Sequence, residues 1–133
     1  MPKRKERVKV YPVVLVRDEP GYVVKVSDLG ITTEGEDLAD AIGMARDAIG
    51  MKILVLEDEG LEIPAPYSKF VSEKESDIET LIDVDIVEYR KKNDTRMVKK
   101  NCTIPYYLKA EAESRNINFS KVLQDALHEK LGI

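Results

Sequence analysis

The sequence predicts an α+β fold, with a small β-β-β-α-β domain followed by a strand-helix-helix segment. Three observations predict it. Residues 10–89 hold several short apolar runs of strand type around one segment whose apolar residues recur at helical spacing. Residues 90–96, RKKNDTR, carry no apolar side chain and mark a boundary. Residues 97–133 then offer one short strand and two short helical patterns. The expected organisation is a basic tail over 1–9, a first domain over 10–89, a linker over 90–96 and a second domain over 97–133.

Residues 10–16, VYPVVLV, form a nearly continuous apolar run, which suits a strand covered on both faces. Glu19-Pro20-Gly21 is a good turn, because proline presets φ and glycine tolerates positive φ. YVVKV (22–26) returns as the second arm of a β-hairpin. SDLG makes another turn, and Ile31–Glu34 a short third strand. From Gly35 the period changes. Leu38, Ile42, Ala45 and Ile49 lie on one face of a helix, with Glu36 and Asp37 in its first turn, where acidic groups suit the helix dipole. Gly43 and Gly50 weaken such a helix by about 1 kcal/mol each relative to alanine, so close packing against the sheet is expected there. The helix runs on through Lys52–Leu56 until EDEG stops it. Pro64 and Pro66 keep LEIPAPYS (61–68) extended. Residues 72–79 are polar and read as an exposed loop. In TLIDVDIVEY (80–89), Ile82, Val84 and Ile86 face one way and Asp83 and Asp85 the other, a half-buried strand.

Composition narrows the function classes. The chain has 133 residues, 43% apolar and 35% charged, as in a soluble globular protein. It has no apolar run long enough to span a bilayer and no signal-peptide hydrophobic region, so a cytoplasmic location is expected. One cysteine excludes an intramolecular disulfide and the Cys-rich zinc sites, and one histidine cannot build a His-based metal site. No cofactor is expected. The net charge of −4 is uneven: residues 1–9 carry +4, residues 10–89 carry −13 and residues 90–133 carry +5. An acidic middle and a basic C-terminal end suggest two kinds of partner.

In VKKNCTIP (98–105), Lys99, Asn101 and Thr103 alternate with Lys100, Cys102 and Ile104. The strand either joins a sheet further back or pairs with a second copy of itself. Pro105 ends it and suits the first turn of a helix carrying Leu108 and Ala112 on one face. Asn118 is the expected N-cap of the last helix, where Val122, Leu123, Ala126, Leu127 and Leu131 form an apolar stripe. This segment is too small to bury a core alone, and a lone strand exposes its edge. A two-fold partner answers both needs. It leaves a two-stranded ribbon with Lys99, Asn101 and Thr103 on its solvent face, a shape that fits the major groove of B-DNA. Lys100 adds basic charge for the DNA backbone. The free N–H groups at Asn118, Phe119 and Ser120 suit a phosphate.

Residues 98–131 resemble the ribbon-helix-helix domain of bacterial repressors. The N-terminal part resembles the HicB antitoxin family, in YPVVLV, GYVVKVSDLG, TEGEDLADAIGMARDAI and IPAPYS, taken in that order. The resemblance implies a partly degraded RNase H-like domain joined to a DNA-binding domain. It implies an antitoxin that neutralises a HicA-type toxin, a small basic ribonuclease that cleaves mRNA and uses a histidine, and that represses its own operon. The protein would work as a homodimer through its C-terminal domain, or as a tetramer of paired dimers, on operator double-stranded DNA. Many HicB proteins carry a proline-containing turn where this chain has Ser27-Asp28-Leu29-Gly30, which alters a contact surface. On exposure and charge, Tyr22, Asp28, Asp83 and Asp85 are the candidate toxin contacts.

Two other readings compete with this one. A ligand-sensing regulator would need an apolar pocket in the first domain. A residual metal-dependent nuclease would need Asp18, Asp28, Asp83 and Asp85 gathered into one site, yet residues 11–16 of the first strand carry no carboxylate. Catalysis is therefore not expected. Cys102 is expected to point inward as a small core residue, His128 to lie on the surface, and Lys3–Lys9 to form a disordered tail.

Overall fold

In the computed structural model, which describes residues 7–67 and 69–133, a four-stranded antiparallel sheet is built outward from β1 (Val8–Asp18). β1 pairs with β2 (Gly21–Val26) from Val14↔Lys25 to Asp18↔Gly21. On its other side it pairs with β4 (Ile78–Asp85) from Val8↔Asp85 to Leu15↔Ile78. β3 (Ile31–Gly35) pairs with β2, giving the order β3-β2-β1-β4. Proline costs β1 little, because the β2 ladder begins only at Val14 and Pro12 lies beside one neighbour. Ser27–Leu29 form a turn of 3₁₀ helix, which Gly30 leaves at φ 64°, a left-handed conformation that glycine adopts without strain.

α1 (Leu38–Asp58) packs across one face of this sheet. Its start is fixed by two aspartates acting reciprocally. Asp37 accepts from the Asp40 N–H at 2.8 Å, and Asp40 accepts from the Glu36 N–H at 2.8 Å. The core joins Tyr11, Val13 and Leu15 of β1, Val24 and Val26 of β2, and Ile82 and Val84 of β4 to Ala41, Ala45, Ile49 and Ile53 of α1. Of the expected helical stripe, Ala45 and Ile49 lie in the core and Ile42 packs against it, and only Leu38 departs from expectation. Leu38, the first residue of the helix, is exposed, and Ala41 takes its place at the interface. The glycines also differ from expectation. A Cβ on Gly43 would meet open space, and Gly50 lies against Tyr89 rather than the sheet.

The strand expected over 80–89 ends at Asp85, and the chain turns into α2 (Ile86–Asn93), which absorbs most of the expected linker. Asp85 causes the switch. Its carboxylate accepts from the Glu88 N–H at 3.1 Å and caps the new helix. Arg7 lies 3.4 Å from both the Asp85 and Glu88 carboxylates. The last residues of the expected basic tail therefore belong to the fold, since Arg7 is so bonded and Val8–Lys9 open β1; residues 1–6 lie outside the described set.

The chain divides into two compact units between Asp94 and Thr95. The second contains α3 (Tyr106–Ser114) and α4 (Phe119–Leu131), so the described residues hold four α-helices in all. Asn118 caps α4, accepting from the Lys121 N–H at 3.1 Å, as the sequence predicts. Residues 94–105 carry no regular structure, which corrects the strand expected over 98–104: the segment joins no strand of the four-stranded sheet, and alternation without a ladder does not make a strand. Cys102, expected to face inward, is exposed, since the irregular segment that carries it covers no core.

Candidate functional site

In the first unit, β1 separates the candidate contacts. Tyr22 stands opposite Arg17 near the end of β1, whereas Asp85 stands opposite Val8 at its start. At about 3.3 Å per residue these positions are roughly 30 Å apart. The four candidates therefore do not converge on one site. Asp28 accepts from the Tyr67 N–H at 3.1 Å. Tyr11 donates its hydroxyl to the Pro64 carbonyl at 2.6 Å. Together these bonds strap the IPAPY segment to the domain. Burial, and secondarily the negative charge of Asp28, raise the Tyr11 pKa, so its phenol stays protonated as the donor. Asp83 pairs with Arg46 of α1 at 3.2 Å, and Arg46 also donates to the Asp83 carbonyl at 2.9 Å. Asp85 is the α2 cap. Three of the four candidates thus hold the fold together at the same positions where they present charge.

Tyr22 lies instead on a groove of about 680 Å³ at the hairpin end of the sheet, a feature that sequence reading missed. Asp18, Glu19, Glu34, Glu36 and Asp40 line it with Met44, Gly21 and Gly35. These carboxylates come from three elements that only the hairpin and the β3–α1 turn bring together. Charge counting gave the acidity of the unit but not its focus. Five carboxylates among its lining residues make this groove acidic. Among the described residues no group of three or more His, Cys, Asp or Glu side chains could hold a metal ion. No helix among them is long and apolar enough to cross a membrane.

In the second unit, Lys99, Lys100, Asn101 and Thr103 are all exposed in the irregular segment before α3. Asn118, Phe119 and Ser120 open α4, and Phe119 is exposed. No side chain of α3 or α4 is buried, although α4 has a clear apolar face. Val122, Leu123, Leu127 and Leu131 all reach solvent, as do Met97, Val98 and Ile104 before them.

A family model described as HicB_like antitoxin of bacterial toxin-antitoxin system matches residues 11–126. Among solved structures, a chain of a toxin-antitoxin complex from Streptococcus pneumoniae is similar, with a TM-score of 0.55 and 24% identity. The likeness covers 92% of this chain and 99% of that one, and at this identity it speaks for the fold. No curated protein matches.

Proposed function

The chain belongs to the HicB-like antitoxin family, and on that premise we propose that it neutralises a HicA-type mRNA-cleaving toxin and represses its own operon in the cytoplasm. Family membership points to a non-enzymatic role. The N-terminal unit, acidic and of the partly degraded RNase H-like kind, engages the basic toxin by charge and shape. The C-terminal unit pairs with a second copy as a ribbon-helix-helix domain, and two such dimers can assemble further.

The observation that carries this reading is the absence of any buried side chain in α3 or α4. Two short helices with an uncovered apolar face do not stabilise themselves, because the area removed from water is too small to offset chain entropy. A second copy covers that face and supplies the missing strand partner for residues 98–104 at once. In the pair, Lys99, Asn101 and Thr103 of each copy point from the ribbon into the major groove. Asn and Thr bond base edges, and Lys99 and Lys100 meet guanine or phosphate. The N–H groups of Phe119 and Ser120 at the start of α4 hold a backbone phosphate, while Asn118 keeps that terminus in register.

The test separates the two jobs. Asn101→Ala and Thr103→Ala should each weaken operator binding by about 1–3 kcal/mol and leave toxin binding unchanged. Equal loss of both activities would sink the division of labour.

A further inference from the structure

We propose that the toxin docks on the exposed flank of α1 that runs beside the edge strand β3; this rests on the antitoxin reading above. α1 buries Ala41, Ala45, Ile49 and Ile53 against the sheet. A second apolar line, Met44, Ala48, Met51 and Val55, is spaced by four, three and four, also a helical period. At 3.6 residues per turn it lies roughly 90° around the helix from the core line. It is not covered: Met44, Met51 and Val55 are 38%, 51% and 42% exposed.

The two flanks of α1 are treated differently. On the β4 side, Arg46 reaches the Asp83 carbonyl and Gly50 receives the ring of Tyr89, so that flank of the helix is covered, although β4 is itself an edge strand paired with β1 alone among the described strands. On the β3 side, Met44 shares a groove with Glu34 and Gly35, which places the apolar line next to β3. β3 pairs with β2 alone among the described strands, so its outer ladder is open. An open strand edge beside an exposed apolar stripe is a liability in a free monomer and a ready surface for a partner. Two methionines at its centre suit a surface that must adapt to another protein.

Charge selects the occupant. Asp18, Glu34, Glu36 and Asp40 crowd one end of this face, within a domain of net charge −13 over residues 10–89. A second copy of the same face would set these carboxylates against their own kind. A basic protein with an apolar patch fits it instead, gaining both steering and burial.

The test titrates the product of the adjacent reading frame against the full-length chain by calorimetry. Met51→Glu and Val55→Glu place a charge on the apolar line at exposed positions that tolerate it. Each should weaken binding about thirtyfold or more, the behaviour of a central interface residue. Leu81→Glu, on the exposed face of β4, should change it less than about threefold. In the wild-type complex the amides of Ile31–Gly35 should gain protection from hydrogen exchange. Wild-type affinity in both variants, or no gain of protection in β3, would overturn the docking face while leaving the antitoxin reading standing. A wild-type chain that does not bind the protein would remove both. Variants that alter self-association but not toxin binding would assign the flank to a second copy, which also overturns the proposal.

Discussion

Gly50→Ala tests the packing of α2 on α1. A Cβ at Gly50 would lie 2.6 Å from Cδ2 and Cε2 of Tyr89 and 2.8 Å from its Cγ, inside any normal contact. The ring cannot step aside without loss, since its hydroxyl lies 2.8 Å from Asp47 Oδ1 and 3.0 Å from the Asp47 carbonyl oxygen. Overpacking of this kind costs about 1–3 kcal/mol. Loss of the hydroxyl bond adds about 1 kcal/mol. Helix propensity returns about 1 kcal/mol for Gly to Ala in a helix interior. The net expectation is a destabilisation of about 2 kcal/mol, which those three terms set. Native-state hydrogen exchange of the β1 amides reports the opening of this unit alone and so avoids mixing two unfolding transitions. In a Tyr89→Ala background the same Gly50→Ala change should reverse sign and stabilise by about 1 kcal/mol, because only propensity remains. A Gly50→Ala chain that is more stable than wild type with Tyr89 present would refute the reasoning.

Alkaline titration gives a second check. Burial, with the hydrogen bond to Asp47, pushes the Tyr89 pKa up to about 12 from 10.0. The folded state thus keeps its proton where the unfolded chain loses it, so stability present below pH 10 is lost as the pH rises toward 12, and Tyr89→Phe should flatten that decline in a chemical-denaturation series. Asp37→Ala removes the α1 cap and should cost about 1 kcal/mol in the same exchange assay. Tyr11→Phe breaks the strap to Pro64; exchange in residues 61–67 should quicken while the unit loses about 1 kcal/mol. Asn118→Ala should weaken binding to operator and scrambled DNA alike, measured by fluorescence anisotropy, since a cap positions phosphate contacts rather than base contacts.

The sheet and its first helix were legible because their signals are local. The β-branched run of β1, the Glu19-Pro20-Gly21 turn and the 3.6 period of α1 each declare themselves within a few residues. The end of β4 was misread because Ile82, Val84 and Ile86 keep perfect alternation across the junction. The signal that could have corrected it is Asp85 with Glu88 three residues later, a capping pattern that overrides strand alternation. Gly50 and Tyr89 meet across 39 positions, and no sequence period announces such a contact. The acidic groove was missed for the same reason, as its carboxylates lie on separate elements. Residues 98–104 are a different case. Their alternation is plain, yet they form no strand, because alternation shows which faces differ and not whether a neighbouring strand stands within hydrogen-bonding reach.

Capture of a toxin by this chain is the central event proposed above. Co-expression with the product of the adjacent reading frame, followed by affinity pull-down and a growth assay, measures it directly. The account predicts recovery of a small, basic, histidine-containing protein in a stable complex, with its toxicity suppressed. A neighbour that is harmless alone, or that leaves no complex behind, would contradict it.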